Sequence, residues 1–163
     1  MRIRPGGARH PTEERRNMRK LLALVTVVLV LPAIALAGGQ AMSPVVSAKL
    51  KGSNEAPVKG DPDGTGFAVV TFNANKGTAC WKFKGVKGIA APNAAHIHKG
   101  KKGTSGPVTI AFGATYKASG CAKASKATIE KIETNPNAYY VNIHNAKYPA
   151  GALRGQLVAG MEG

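Results

Sequence analysis

Thr78-Ala79-Cys80-Trp81-Lys82-Phe83-Lys84-Gly85-Val86 is the stretch on which the fold turns. Trp81 and Phe83 alternate with Lys82 and Lys84, and residues two apart in a strand share a face. One face is therefore apolar and the other charged, as in a half-buried antiparallel strand. Parity puts Cys80 on the lysine side. Only one other cysteine, Cys121, exists in the chain. A disulfide is the default for two cysteines in an exported chain, and it would pin the Cys121 loop over the outside of the sheet. It would close a loop of about 40 residues, worth roughly 4 kcal/mol by chain entropy. Paired thiolate ligands for a metal are the alternative, but they lack a Cys-x-x-Cys spacing.

Working outward, Val45 to Leu50 reads as a strand ending at Gly52-Ser53-Asn54-Glu55-Ala56-Pro57. Gly60-Asp61-Pro62-Asp63-Gly64 is a strong turn into a strand over 65–72, and 73–77 turns again into the Trp81 strand. Further strands are expected at 94–99, 107–112, 139–145 and 152–159, the last two joined as a hairpin through Tyr148-Pro149-Ala150-Gly151. Residues 113–125 read as irregular. Ser125 to Glu133 is the single convincing helix, with Ser125 as N-cap, Thr128, Ile129 and Ile132 along one side, and Pro136 beyond its end. The prediction is a mainly β fold: an antiparallel β-sandwich of immunoglobulin-like or superoxide-dismutase-like architecture with one short helix. A small barrel is the alternative.

Two polar insertions interrupt the apolar strands, Ala95-His96-Ile97-His98 and Tyr140-Val141-Asn142-Ile143-His144. His96 and His98 share one face, as do Asn142 and His144. In Gly151-Ala152-Leu153-Arg154-Gly155-Gln156-Leu157, Arg154 and Gln156 share a side opposite Leu153 and Leu157. If the strands adjoin, three imidazoles, a guanidinium and two amides form one cluster.

The first 37 residues read as an N-terminal extension and then a signal peptide. Met18-Arg19-Lys20 opens a basic region with Met18 as the expected true start, residues 21–37 are apolar, and Ala35-Leu36-Ala37 sets cleavage after Ala37. An uncleaved N-terminal anchor is the alternative. The expected location is secreted or extracytoplasmic. The remaining length suffices for one domain over residues 44–160, with no second apolar segment and hence no span in the mature part. The full chain carries a formal charge of +15. From residue 38 onward it holds fifteen lysines, Arg154 as the sole arginine, and six acids. Scattered lysines and few aromatics argue against nucleic acid and leave either a solvated surface or attraction to an anionic partner.

Five ordered blocks resemble the CHRD domain, named from chordin and found alone in many exported bacterial proteins: Leu50-Lys51-Gly52-Ser53-Asn54-Glu55-Ala56-Pro57, Ala95-His96-Ile97-His98-Lys99-Gly100, Gly106-Pro107-Val108, Tyr140-Val141-Asn142-Ile143-His144, and Gly151 to Leu157. The resemblance covers roughly residues 44–160. Asn145 stands where the family usually has Thr or Ser, and residues 113–125 match no family motif. It implies a secreted, β-rich domain without an assigned enzymatic activity and offers no catalytic residues. In chordin the domain sits in a protein that binds secreted growth factors.

The polar cluster admits three readings. His96, His98 and His144 can ligate zinc or copper, leaving an open coordination sphere. The His-x-His pair is similar in a general way to copper/zinc superoxide dismutases, but their fourth copper-ligand histidine is missing, so a metal-dependent enzyme is disfavoured. Alternatively Asn142, Arg154 and Gln156 join the histidines in a polar network that fixes register, with Glu55 or backbone carbonyls as partner of Arg154. Or the cluster and the Lys99, Lys101 and Lys102 loop bind an anionic cell-surface polymer or an extracellular protein. No nucleophile elbow, phosphate loop or dinucleotide fingerprint occurs. Asp61 and Asp63 belong to a turn too short for a calcium loop. The expectation is a non-enzymatic binding or structural module.

Overall fold

The computed structural model describes residues 44–160. The expected extension, signal peptide and cleavage site lie outside these residues. Nine strands form one antiparallel sheet: β1 (Val45–Lys51), β2 (Thr65–Asn73), β3 (Thr78–Lys87), β4 (Pro92–Lys99), β5 (Val108–Ala111), β6 (Ser119–Lys123), β7 (Tyr139–Asn145), β8 (Leu153–Gln156) and β9 (Val158–Ala159). The strand order is β5-β4-β7-β8-β1-β2-β3-β6, with β9 beside β1. The helix α1 (Lys126–Thr134) is capped by the Ser125 side chain, which accepts from the Thr128 N–H, and buries Ile129 and Ile132 as expected.

The mainly β, antiparallel, one-helix expectation holds, but the strands do not divide into the two sheets of a sandwich. β1 is the reason. It runs against β2 from Val45↔Thr71 to Lys51↔Thr65 and on its other side meets β8 at Lys51↔Arg154 and β9 at Val46↔Ala159. One strand thus joins both halves. The continuous sheet curls until its edge strands β5 and β6 approach each other, giving a nearly closed barrel.

An aromatic seam fills the closing edge. Trp81 and Phe83 project from β3 into the core, as their alternation requires, and meet Phe112 just beyond β5. Trp81 stacks on Phe112 at 4.7 Å between centroids, and Phe83 meets it edge-on at 5.9 Å. Such pairs add about 1 kcal/mol beyond the area they bury. The segment after Phe112 bridges the two edges: the Tyr116 N–H donates to the Asn93 carbonyl, and the Phe83 N–H to the Ala118 carbonyl.

Residues 113–125 depart from the irregular expectation. They contain β6, in which Cys121 pairs directly with Cys80 of β3 and forms the disulfide. The bond lies on the outer face, as parity requires, but it staples two strands rather than a loop to the sheet. The expected strand over 152–159 is split at Leu157, whose N–H donates to the Tyr139 carbonyl; β8 pairs with β7 and β9 with β1. Among the described residues, no helix is long and apolar enough to cross a membrane.

Candidate metal and polar site

The middle of the sheet carries the site. Across β4 and β7, His96 pairs with Asn142, His98 with Tyr140, and Ala94 with His144. β8 places Arg154 opposite Asn142 and Gln156 opposite Tyr140. The intervening Ile97, Val141, Ile143 and Leu153 are fully buried in the core. Hence His96, His98, Asn142, His144, Arg154 and Gln156 all lie on the outer face, as a period of two demands. That face is not bare. Residues 100–106 fold over one part of it, and the loop between β1 and β2 brings Glu55 to 3% exposure beside it.

Hydrogen bonding divides the cluster in two. The histidine half converges. His96 Nδ1 stands 3.1 Å from His144 Nε2, and one ligand nitrogen from each of His96, His98 and His144 lies within 4.8 Å of the others. His98 Nδ1 is 2.9 Å from the Gly106 carbonyl, and His144 Nδ1 is 3.0 Å from that of Pro149. A carbonyl only accepts, so both Nδ1 atoms carry the proton and both Nε2 atoms of the neutral rings keep a lone pair. His98 Nε2 is buried and has no hydrogen-bond partner. Burial pushes the His96 imidazole down to about 4, with His144 and His98 adding to the effect. Burial also lowers His98 and His144, each partly offset by its carbonyl partner. The three rings are thus neutral near pH 7, the form that ligates metal.

Asn142 makes the cluster richer in acceptors. Its Oδ1 faces His144 Nε2 at 3.0 Å. His144 Nε2 therefore faces both Asn142 Oδ1 and His96 Nδ1, and His96, which no carbonyl ties to one tautomer, can supply the proton between the two rings. Tetrahedral zinc, with Zn–N near 2.0 Å, sets ligand nitrogens about 3.3 Å apart, close to the His96–His144 separation. The backbone carbonyls behind His98 and His144 are the kind of outer partner that orients metal-ligating imidazoles.

The arginine half is tied to the backbone through one guanidinium nitrogen and the Gln156 amide, while Arg154 Nη1 and Glu55 Oε1 are buried without a hydrogen-bond partner. Arg154 is 1% exposed, and its Nη2 donates to the Lys101 carbonyl at 2.9 Å and the Thr104 carbonyl at 2.8 Å. Its guanidinium carbon lies 3.4 Å from the Tyr140 ring centroid, and His98 stacks on the same ring at 4.9 Å. Gln156 Nε2 is within 2.8 Å of the Gly100, Asn137 and Tyr139 carbonyls. Glu55 lies near Arg154 but makes no ion pair with it; burial raises its carboxyl to about 7 against the pull of the Arg154 charge. Gly151, at φ 145°, lies where a Cβ would strike the Glu55 carboxylate.

The lysines expected beside the cluster separate. Lys99 ends β4 and is exposed. Lys101 contributes its backbone carbonyl to Arg154 rather than its charge, and only Lys102 joins Arg154 and Gln156 in lining a cavity. Sequence patterning does not single out Tyr140, between His98 and Arg154, or Lys49, across that cavity. Tyr140 was detectable, being two residues from Asn142 and so on the same face; Lys49 depended on a non-local register.

Fold and site together define a β-barrel-like domain whose outer face carries a three-histidine cluster beside a buried arginine clamp. The CHRD domain family matches residues 46–157, and the chain belongs to that family. No curated protein and no solved structure matches the chain.

Proposed function

We propose that this protein is an exported, non-enzymatic metal-binding module that takes zinc or copper(II) on His96, His98 and His144. The observation that carries this reading is the convergence of neutral imidazole nitrogens, two with their opposite nitrogen tied to a backbone carbonyl. In the metal-free protein the neutral His96 ring can donate its Nδ1 proton to His144 Nε2, and a divalent cation would take that proton's place between the rings. Three protein ligands would leave a coordination position for water or a partner group. Export is favoured by the disulfide and by the apolar run at 21–37.

Calorimetric titration of the purified, chelator-treated protein with zinc and copper(II) tests this. One equivalent should bind below about 10 µM, and His96→Ala or His144→Ala should weaken binding at least tenfold. Cobalt(II) should give the visible spectrum of a nitrogen-rich, low-symmetry site. Absence of binding by a folded protein, or binding indifferent to both substitutions, overturns the reading.

Arg154 and Gln156 serve a second, structural purpose. Arg154 Nη2 and Gln156 Nε2 reach five backbone carbonyls of the 100–106 and 137–139 segments and tie those segments to the sheet. Arg154 thus shapes the face on which the histidines sit.

A further inference from the structure

Beyond the histidines, on the other side of Arg154, the outer face holds a cavity of about 250 Å³ lined by Lys49, Asn54, Lys102, Arg154, Gln156 and Val158. Its lining contains three cations and no carboxylate; Glu55 is not part of it. Lys49 comes from β1, Arg154 and Gln156 from β8, and Lys102 from the loop above them. These sources are distant in sequence, so the charge is gathered by the fold and is not a run of surface lysines. Arg154 is buried, and its Nη1 has no hydrogen-bond partner although Nη2 has two. Its guanidinium charge is met by no ion pair among the described residues, so it adds uncompensated positive charge to the base of the cavity beside Lys49 and Lys102.

We propose that this cavity binds a single oxyanion group: a phosphate, sulfate or carboxylate. Lys49 and Lys102 supply mobile point charges at its mouth, and Arg154 supplies fixed charge at its base. Low-dielectric walls strengthen their combined field over that of exposed lysines. Loop residues 101 and 104 are already held by Arg154, so the cavity is formed before the ligand arrives. The anionic-partner expectation thereby moves from the Lys99–Lys102 loop to Lys49, Lys102 and Arg154. It does not depend on the metal reading.

Titration of the isotope-labelled protein with inorganic phosphate, tracked by amide chemical shifts at constant ionic strength, provides the test. Saturable shifts should concentrate at Lys49, Asn54, Lys102 and Gln156. Lys49→Gln with Lys102→Gln should weaken binding at least tenfold without lowering the melting temperature, because both side chains are exposed. His144→Ala should leave the phosphate response intact even if it abolishes metal binding. A parallel titration with polyphosphate distinguishes the source: shifts at the same residues show that a polymer-borne group is accepted, and shifts with the free ion alone restrict the site to small anions. Non-saturating shifts, shifts spread over all lysines, or unchanged affinity in the double variant overturn the proposal.

Discussion

Arg154 has almost no contact with water, yet among the described residues it has no ion pair; two carbonyls and the Tyr140 ring meet its charge. A stacked, desolvated guanidinium gains about 2 kcal/mol from the ring, and the two charge-assisted bonds add to that. Arg154→Ala should therefore lower unfolding free energy by about 3 kcal/mol, measured by urea denaturation, because it strands the Lys101 and Thr104 carbonyls and removes the stacking on Tyr140. Arg154→Lys should recover only part of this, since an ammonium cannot stack flat and donate to both carbonyls at once. His144 calls for the opposite pattern. His144→Ala should cost the metal-free protein little and abolish the thermal shift that zinc produces, as read by differential scanning fluorimetry.

At the scale of elements, the cluster depends on how closely the 100–106 loop approaches β4. Gly106 lies where a Cβ would collide with the Lys99 carbonyl, and its own carbonyl orients His98. Gly106→Val should displace the loop, lower the melting temperature, and weaken zinc binding without touching a ligand; an unchanged zinc affinity would separate loop from site. Which residues share a face was legible in the sequence because side-chain direction in a strand depends only on parity. His96, His98, Asn142, His144, Arg154 and Gln156 obey that rule, as do Trp81 and Phe83. The β6 strand was not legible: Ser119-Gly120-Cys121-Ala122-Lys123 has no β-branched or aromatic residue, and its pairing with β3 holds it extended. The single continuous sheet was hidden for a similar reason. It rests on β1 meeting β8 at Lys51↔Arg154, a register over a hundred positions that no local pattern encodes. Gly151 and Gly155 belong to the block that pointed to the family, and the structure gives both a purpose: one admits the Glu55 carboxyl and the other the Lys49 carbonyl.

For the whole molecule, protons and metal ions act on the same cluster. The folded histidines titrate below the ordinary 6.5, His96 near 4, so acidification from pH 6.5 protonates the unfolded chain first and drains stability down to about pH 4. Glu55 acts in the other direction. Held near 7 against 4.5, it keeps a proton that the unfolded chain releases, so its contribution fades as pH rises from 4.5 through 7. The three histidines outweigh the one carboxyl. In chelator, the melting temperature should fall from pH 6.5 to 4.5, and Glu55→Gln should make that fall steeper. A metal ion at 100 times its dissociation constant should add about 2.7 kcal/mol near neutrality. That gain should vanish as the imidazoles take up protons.

The chain's only tryptophan stands in the seam where the sheet's two edges meet, stacked on Phe112 and donating its indole N–H to the Lys117 carbonyl at 2.9 Å. Its emission therefore reports one event, the parting of that joint. Far-ultraviolet dichroism tracks the strands as a whole. Where the two signals separate during unfolding, the barrel is opening along its edge while the central strands bearing the histidines stay paired.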